Sequence, residues 1–307
     1  MTSFIQNITS ADKTILQKTL SHWRPQSKNY EDSWGYIIQA TRNMGGRWYD
    51  PATQSLVFFG RKPLDKSTLV ISNFFAEPKH LKSIIEELCS TLNISQTVLK
   101  NINPQDIKKF TPYGFREYYD NEQWDDFSRF DDQTYPQLMI DLQKVKESKG
   151  LGYAYLRKII HKNSRAHIRP YKGSDREGVF AIFTALDGTT AKSYIEQSQG
   201  MYYNSHSMYP SAGLDKYVVI DEAINEIVGF TATSTITTKT AAFAALIFKP
   251  NAEVSPVWGA YQVLLMLYQK GFQQINVGGS ETEGTYFFKH RTFRPVEELQ
   301  KTHLVYE

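Results

Sequence analysis

Residues 241–250 read AAFAALIFKP, and residues 275–295 read INVGGSETEGTYFFKHRTFRP, with a helix-length run between them. The first segment is short and almost wholly apolar, the mark of a strand covered on both faces. Pro250 and Asn251 end it. Ser255 can cap a helix that carries Pro256 in its first turn. Val257, Tyr261, Leu264, Leu265 and Tyr268 then recur at helical spacing, and Gly271 stands where such a helix stops. Residues 273–277 form the next strand. Gly278-Gly279 turns the chain, and Ser280 and Glu281 can cap a short helix that ends on Phe293-Arg294-Pro295. A strand, helix and strand of this length make a right-handed crossover, so the two strands are expected to be parallel neighbours.

Upstream, residues 137–141 and 166–170 are predicted as strands and 152–162 as a helix. Residues 175–186 and 189–197 are predicted as helices. Residues 216–221 and 226–233 form a hairpin turning at 221–225, and strand 241–248 continues their sheet. The first half repeats the pattern. Residues 9–20 and 33–40 read as helices, and 48–60 as a hairpin turning at Asp50-Pro51. Residues 69–75 read as an apolar strand, then 78–92 as a helix with Leu81, Ile84, Ile85 and Leu88 on one face. Residues 97–102 are a strand, 104–110 a short helix, and 116–119 a strand after the turn at 113–115. Glu117, Asp120, Glu122, Asp125, Asp126, Asp131 and Asp132 separate the halves as a solvated linker. The division is placed near residue 130, giving units 1–130 and 131–307.

The chain has 307 residues, of which 41% are apolar and 22% charged, enough core for two folded units and against global disorder. A net charge of +3 implies no overall polyanion preference. The one cysteine, Cys89, rules out an intrachain disulfide and reads as a core thiol. The start, MTSFIQNITSADK, lacks the layout of a signal peptide. No apolar run reaches membrane-span length, so a cytoplasmic protein with no integral membrane segment is expected. The seven histidines show no ligand spacing, so no metal site is expected.

Helices, an antiparallel meander, a strand-helix-strand crossover and a short helix follow one another as in the GNAT acyltransferase fold. The second half goes further. Lys270-Gly271, Asn276-Val277-Gly278-Gly279, Phe288-Lys289, Phe293 and Pro295, with Trp258 upstream, resemble the tandem-GNAT aminoacyl-tRNA-dependent transferases. These are the C-terminal domain of phosphatidylglycerol lysyltransferases and, more distantly, the Fem-type peptidoglycan aminoacyltransferases. Thr134-Tyr135-Pro136, Asp141 and Leu156-Arg157 are similar to the first of these. The resemblance implies an α/β (α+β) fold of two GNAT-like lobes, each a mixed, mostly antiparallel sheet flanked by helices. It places the active site in the second lobe. It implies an acyl-group transferase, moving an aminoacyl group from aminoacyl-tRNA to an amine or hydroxyl acceptor.

Two departures bear on the donor. Acetyl-CoA-using members carry a glycine-rich loop whose amides grip the pyrophosphate at a helix N-terminus. Residues 249–256 read KPNAEVSP here, with no glycine, two prolines and an acid. Residues 75–78, FAEP, are no better suited. Phe288 also stands where such enzymes often place a tyrosine general acid. No cofactor is expected; aminoacyl-tRNA, or alternatively acyl-CoA, serves as co-substrate. A third possibility is a catalytically silent GNAT-fold protein that binds a ligand or RNA. Lipid-modifying members follow a membrane-embedded domain, so a small-molecule or peptide acceptor is expected ahead of a lipid.

Transfer of an aminoacyl ester needs a proton acceptor for the attacking group, stabilisation of the oxyanion and a proton for the leaving ribose hydroxyl. Lys289 is the first candidate for the oxyanion or a phosphate; the alternative is a surface lysine. Glu281 or Glu283 could hold the acceptor amine or act as base, the alternative being a carboxylate favoured by the helix dipole. Asn276, Gly278, Gly279 and Arg291 complete the expected substrate-binding set. Residues 144–176 carry ten lysines and arginines, Arg157, Arg165 and Arg169 among them, interleaved with Tyr153, Tyr155 and Tyr171. Such a run suits a tRNA acceptor end, or is a solvated face. Residues 201–210 read as a loop that could cover the cleft.

Overall fold

The computed structural model describes residues 5–41, 45–61, 66–118, 135–163, 165–186, 214–280 and 283–307. The first half runs β1 (Ile5–Asn7), α1 (Asp12–Trp23), α2 (Trp34–Ala40), β2 (Gly46–Asp50), β3 (Ser55–Arg61), β4 (Thr68–Phe75), α3 (Pro78–Leu92), β5 (Gln96–Ile102), α4 (Ile107–Phe110) and β6 (Arg116–Tyr118). The second runs β7 (Gln137–Asp141), α5 (Leu142–Glu147), α6 (Ala154–Lys162), β8 (Ala166–Pro170), α7 (Arg176–Leu186), β9 (Asp215–Asp221), β10 (Glu226–Thr235), β11 (Thr240–Phe248), α8 (Pro256–Gln269), β12 (Gln274–Asn276), α9 (Glu283–Phe293), β13 (Glu297–Leu299) and β14 (Thr302–Tyr306).

These strands build two seven-stranded sheets, β1-β2-β3-β4-β5-β14-β6 and β13-β7-β12-β11-β10-β9-β8. Among the described residues each sheet has one parallel pair, β4–β5 in the first and β11–β12 in the second. The expected crossover at residues 241–277 is the second of these pairs, with Ala242 opposite Asn276.

Sequence spacing explains the packing. Leu81, Ile84, Ile85 and Leu88 of α3 are fully buried against Leu69, Ile71, Leu99 and Leu304 of the first sheet. Each such aliphatic side chain stabilises the fold by about 1.5–3 kcal/mol. Pro78 opens α3, and Asn93, in the left-handed conformation, closes it. Cys89 is partly buried beside this core, where burial pushes its thiol pKa up. On the second sheet, α8 buries Val257, Val263, Leu264 and Leu267 against Ile140, Tyr217 and Ile275. Gly259 lets α8 lie close on the end of β11, because a Cβ there would stand 2.5 Å from the Phe248 ring. Leu16, Leu20, Trp34 and Ile37 of α1 and α2 share one core with Leu56, Phe58 and Phe75 of the first sheet, with Ile236 of the β10–β11 turn and with Ala242 of the second sheet. That layer joins the two lobes.

Some features differ from expectation. The chain does not finish with the short helix α9. β13 returns beside β7, and β14 then crosses to the first sheet and inserts between β5 and β6. Residues 302–306 therefore belong to the first lobe's sheet, although the sequence division assigns them to the second. α5 was not expected either; the Asp141 side chain caps it, accepting the Lys144 N–H at 3.0 Å. The linker around residue 130, the helix at 189–197 and the loop at 201–210 lie outside the described residues. No described helix is long and apolar enough to cross a membrane.

Candidate active site

β11 and β12 pair only over Thr240–Ala242 and Gln274–Asn276, while β11 runs on to Phe248. The sheet opens at that point, and the chain leaves β12 through the turn Asn276-Val277-Gly278-Gly279. Asn276 is fully buried. Its amide donates to the Lys28 carbonyl at 2.7 Å and to Gln137 Oε1 at 2.8 Å, and its Oδ1 accepts the Gly278 N–H at 2.8 Å. This closes an Asx-type turn. Gly278 has φ +68, and the nearest atom a Cβ would meet, on the Tyr30 ring, is 3.8 Å away. The requirement for glycine there is conformational rather than steric.

Lys289 of α9 reaches back to the same turn. Its ammonium donates to the Val277 carbonyl at 3.1 Å and to the Gly279 carbonyl. Four expected site residues, Asn276, Gly278, Gly279 and Lys289, thus converge on one turn. Glu281 lies outside the described residues. Glu283 is exposed in the first turn of α9. Ser280, expected as a cap, holds its hydroxyl buried, with no hydrogen-bond partner among the described residues.

The turn is continuous with a buried polar seam that sequence reasoning missed. Gln137 accepts from Asn276 and from the Tyr30 N–H, and donates to Glu31 Oε2 at 2.9 Å. Lys301, in the crossing from β13 to β14, donates to Glu31 Oε1 at 2.6 Å, to Asn29 Oδ1 at 2.8 Å and to Asn103 Oδ1 at 3.0 Å. Both Lys301 and Glu31 are buried. Asn73 of β4 donates to the Glu31 carbonyl and to Asp32 Oδ1, and Arg24 pairs with Asp32 at 2.9 Å. The usable sequence signal was the pair Glu31-Asp32 set between aromatic Tyr30 and Trp34. Carboxylates in an otherwise buried segment need cationic partners.

The seam ends at a cavity of about 350 Å³ in the first lobe. It occupies the opening between β4 and β5, which pair through Ile71 and Leu99 and then separate. Ala76, Glu77 and Pro78 at the start of α3 form part of its rim.

No protein-family model and no curated protein matches the sequence. Solved structures do match the fold. A conserved protein of unknown function from Bacteroides thetaiotaomicron superposes with a TM-score of 0.75 over 99% of both chains, at 13% identity. FemX superposes with a TM-score of 0.65 over 98% of this chain and 96% of its own, at 9% identity. L-PGS from Bacillus licheniformis gives 0.61 over 96% and 92%, at 13% identity. The fold is the tandem GNAT fold.

In acyl-CoA-using members of the GNAT fold, the crossover helix offers free amides to pyrophosphate. In the second lobe these amides are occupied. The Ser255 hydroxyl accepts the Val257 N–H at 3.3 Å, and the Ser255 carbonyl accepts those of Trp258 and Gly259 at 3.0 and 3.2 Å. Pro256 has no N–H, and the Ser255 N–H donates to Asn163 Oδ1 at 2.9 Å. In the first lobe α3 begins without a side-chain cap, but the residue before it is Glu77 and its first residue is Pro78.

The basic run does not form one set at the Gly278 turn. Arg157 donates to the carbonyls of Ser148 at 2.5 Å and Gly150 at 2.9 Å, closing the end of α5. Arg169 forms a two-pronged pair with Asp175 at 2.6 and 2.8 Å; hydrogen bonding to Arg169 holds the Asp175 pKa down, and the partner raises that of Arg169. Arg165 is exposed, and its carbonyl accepts the Glu222 N–H. Arg291 is exposed on α9, its guanidinium 5.3 Å from the Tyr155 ring centre.

Proposed function

We propose that this chain is an acyl-group transferase that takes an aminoacyl group from aminoacyl-tRNA and passes it to an amine or hydroxyl acceptor. The observation that carries this reading is the closed N-terminus of α8 within a tandem GNAT fold. A donor held by a CoA pyrophosphate has no free amides to meet there, whereas a tRNA acceptor end needs no such grip. The acceptor attacks the ester carbonyl and gives up a proton, with Glu281 or Glu283 as the base. The tetrahedral oxyanion collapses, the ester C–O bond breaks, and the ribose hydroxyl leaves with a proton. Lys289 is a positive charge pinned at the open end of β12, supported in its position by two turn carbonyls. Those same bonds favour a second reading, in which Lys289 only holds the turn and the protein binds ligand without catalysis.

One assay separates them. The protein is incubated with a mixture of charged tRNAs and, in parallel, with labelled acyl-CoAs, and small-molecule and peptide products are identified by mass spectrometry. Transfer from charged tRNA is expected, and Lys289→Ala should lower its rate about 100- to 1000-fold, the usual loss for one oxyanion contact. Transfer from acyl-CoA alone would overturn the donor assignment. Transfer at an undiminished rate by Lys289→Ala, with an unchanged melting curve, would remove Lys289 from catalysis.

A further inference from the structure

The transfer proposed above needs a proton for the departing ribose oxygen, and no residue at the turn after β12 has been given that task. The first lobe supplies one. Tyr30 opens the single 3₁₀ turn Tyr30–Asp32, which lies between α1 and α2. Its N–H donates to Gln137 Oε1 at 3.1 Å, which ties this backbone to the second lobe. Its ring faces the turn after β12, 3.8 Å from where a Cβ on Gly278 would stand. It also meets Tyr36 edge-on, with ring centres 5.9 Å apart. Its hydroxyl donates to the Phe243 carbonyl of β11 at 3.4 Å.

These contacts set the side chain across the place where β11 and β12 part. The two strands pair as far as Ala242 and Asn276, so Phe243 is the first residue of β11 beyond the pairing. β11 also bulges there: Thr233 lies opposite Phe243 and Ala232 opposite Ala245, which leaves Ala244 as the extra residue. Bulges re-aim the backbone and are over-represented beside active sites. Lys289 holds the carbonyls on either side of Gly278, so a phenol from one lobe and an ammonium from the other meet the same short turn. Packing against Gly278 and Tyr36 uses the ring alone. The hydroxyl is the part that a transfer reaction would use.

We infer that Tyr30 is the general acid of the transfer, a residue of the first lobe completing the site of the second. The inference rests on the transferase reading given above. The acceptor nitrogen or oxygen bonds to the ester carbonyl carbon, and its proton passes to the base. As the tetrahedral adduct collapses, the bond from that carbon to the ribose oxygen breaks. The Tyr30 hydroxyl gives its proton to that oxygen. The phenolate then regains a proton from the base by way of solvent, so none is gained or lost over the cycle.

The test is Tyr30→Phe in the full-length chain, which keeps the ring and the backbone bond to Gln137. Two donors are compared: pooled charged tRNAs ending in 2′-deoxyadenosine, and the same pool ending in 2′-fluoro-2′-deoxyadenosine. Fluorine makes the neighbouring ester oxygen a better leaving group, which depends less on an acid. Transfer from the deoxy donor should fall about 100-fold in the variant, and from the fluoro donor by about tenfold or less. Both donors meet the same preparation, so any loss of folded protein cancels in the ratio. Undiminished transfer by Tyr30→Phe, with the unaltered chain active, would overturn the inference and leave the transferase reading standing. An equal fall with both donors would overturn the acid role, because a tyrosine that only shapes the gap does not sense the leaving group. No transfer by the unaltered chain, from these donors or from ordinary charged tRNA, would overturn the transferase reading and this inference with it.

Discussion

The two crossovers, β4-α3-β5 and β11-α8-β12, share a topology and differ in what they leave open. In the first, the parallel strands separate around a cavity with asparagines, a lysine and a buried ion pair at its inner end. In the second, the Ser255 hydroxyl and carbonyl occupy the first amides of α8, and Lys289 ties α9 to the turn after β12. A repeated fold thus gives one lobe a container and the other a braced turn. The difference arises from short local sequences, FAEP against KPNAEVSP and the Asn276–Gly279 turn, laid on the same frame. The polar seam from Gln137 through Glu31 to Lys301 joins the two places, so both halves of the comparison can be perturbed from either side.

The largest effect is expected at that seam. Lys301→Met strands a buried carboxylate and should cost about 3–5 kcal/mol of stability, read from urea unfolding. The double variant with Glu31→Gln should recover most of the loss, because no uncompensated charge then remains. If Lys301→Met is neutral, the lobes are not held together by this pair.

A second effect belongs to the first lobe alone. His303, buried in β14 behind the cavity wall, has its pKa lowered from 6.5 to about 3 by burial and then by the charge of Lys100. The folded imidazole stays neutral while the unfolded one takes a proton below pH 6.5. Stability is therefore complete above that pH and lost as pH falls toward about 3, by about 1.4 kcal/mol per pH unit. His303→Asn should flatten the slope between pH 6.5 and 5, measured by urea midpoints. An unchanged slope would mean that His303 is protonated in the folded state.

The smallest effect sharpens the second lobe. Gly278→Ala forces an L side chain into the left-handed region and should cost about 1–2 kcal/mol, with no clash against Tyr30 to add to it. A loss well beyond that would show the turn to be sterically sealed rather than conformationally set.

Much of this frame was legible from local pattern. The four-residue apolar face of α3, the Ser255-Pro256 start of α8 and the Gly278-Gly279 turn each follow from spacing and backbone chemistry within a few residues. What was not legible is non-local. β14 pairs with β5 across some two hundred residues of sequence, and nothing in residues 302–306 names that partner. The Glu31–Lys301 pair is separated as widely, and each residue alone reads as an ordinary charge. The partners of the basic run were not legible for the same reason: density of charge in sequence says nothing of the Ser148 carbonyl that folds onto Arg157 or the Asp175 carboxylate that folds onto Arg169.

The most direct test of the contrast is a calorimetric titration of the intact protein with acetyl-CoA. With the α8 amides occupied by Ser255, and with Glu77 and Pro78 at the start of α3, no saturable heat is expected. A micromolar dissociation constant would contradict the closed second crossover and make acyl-CoA the donor.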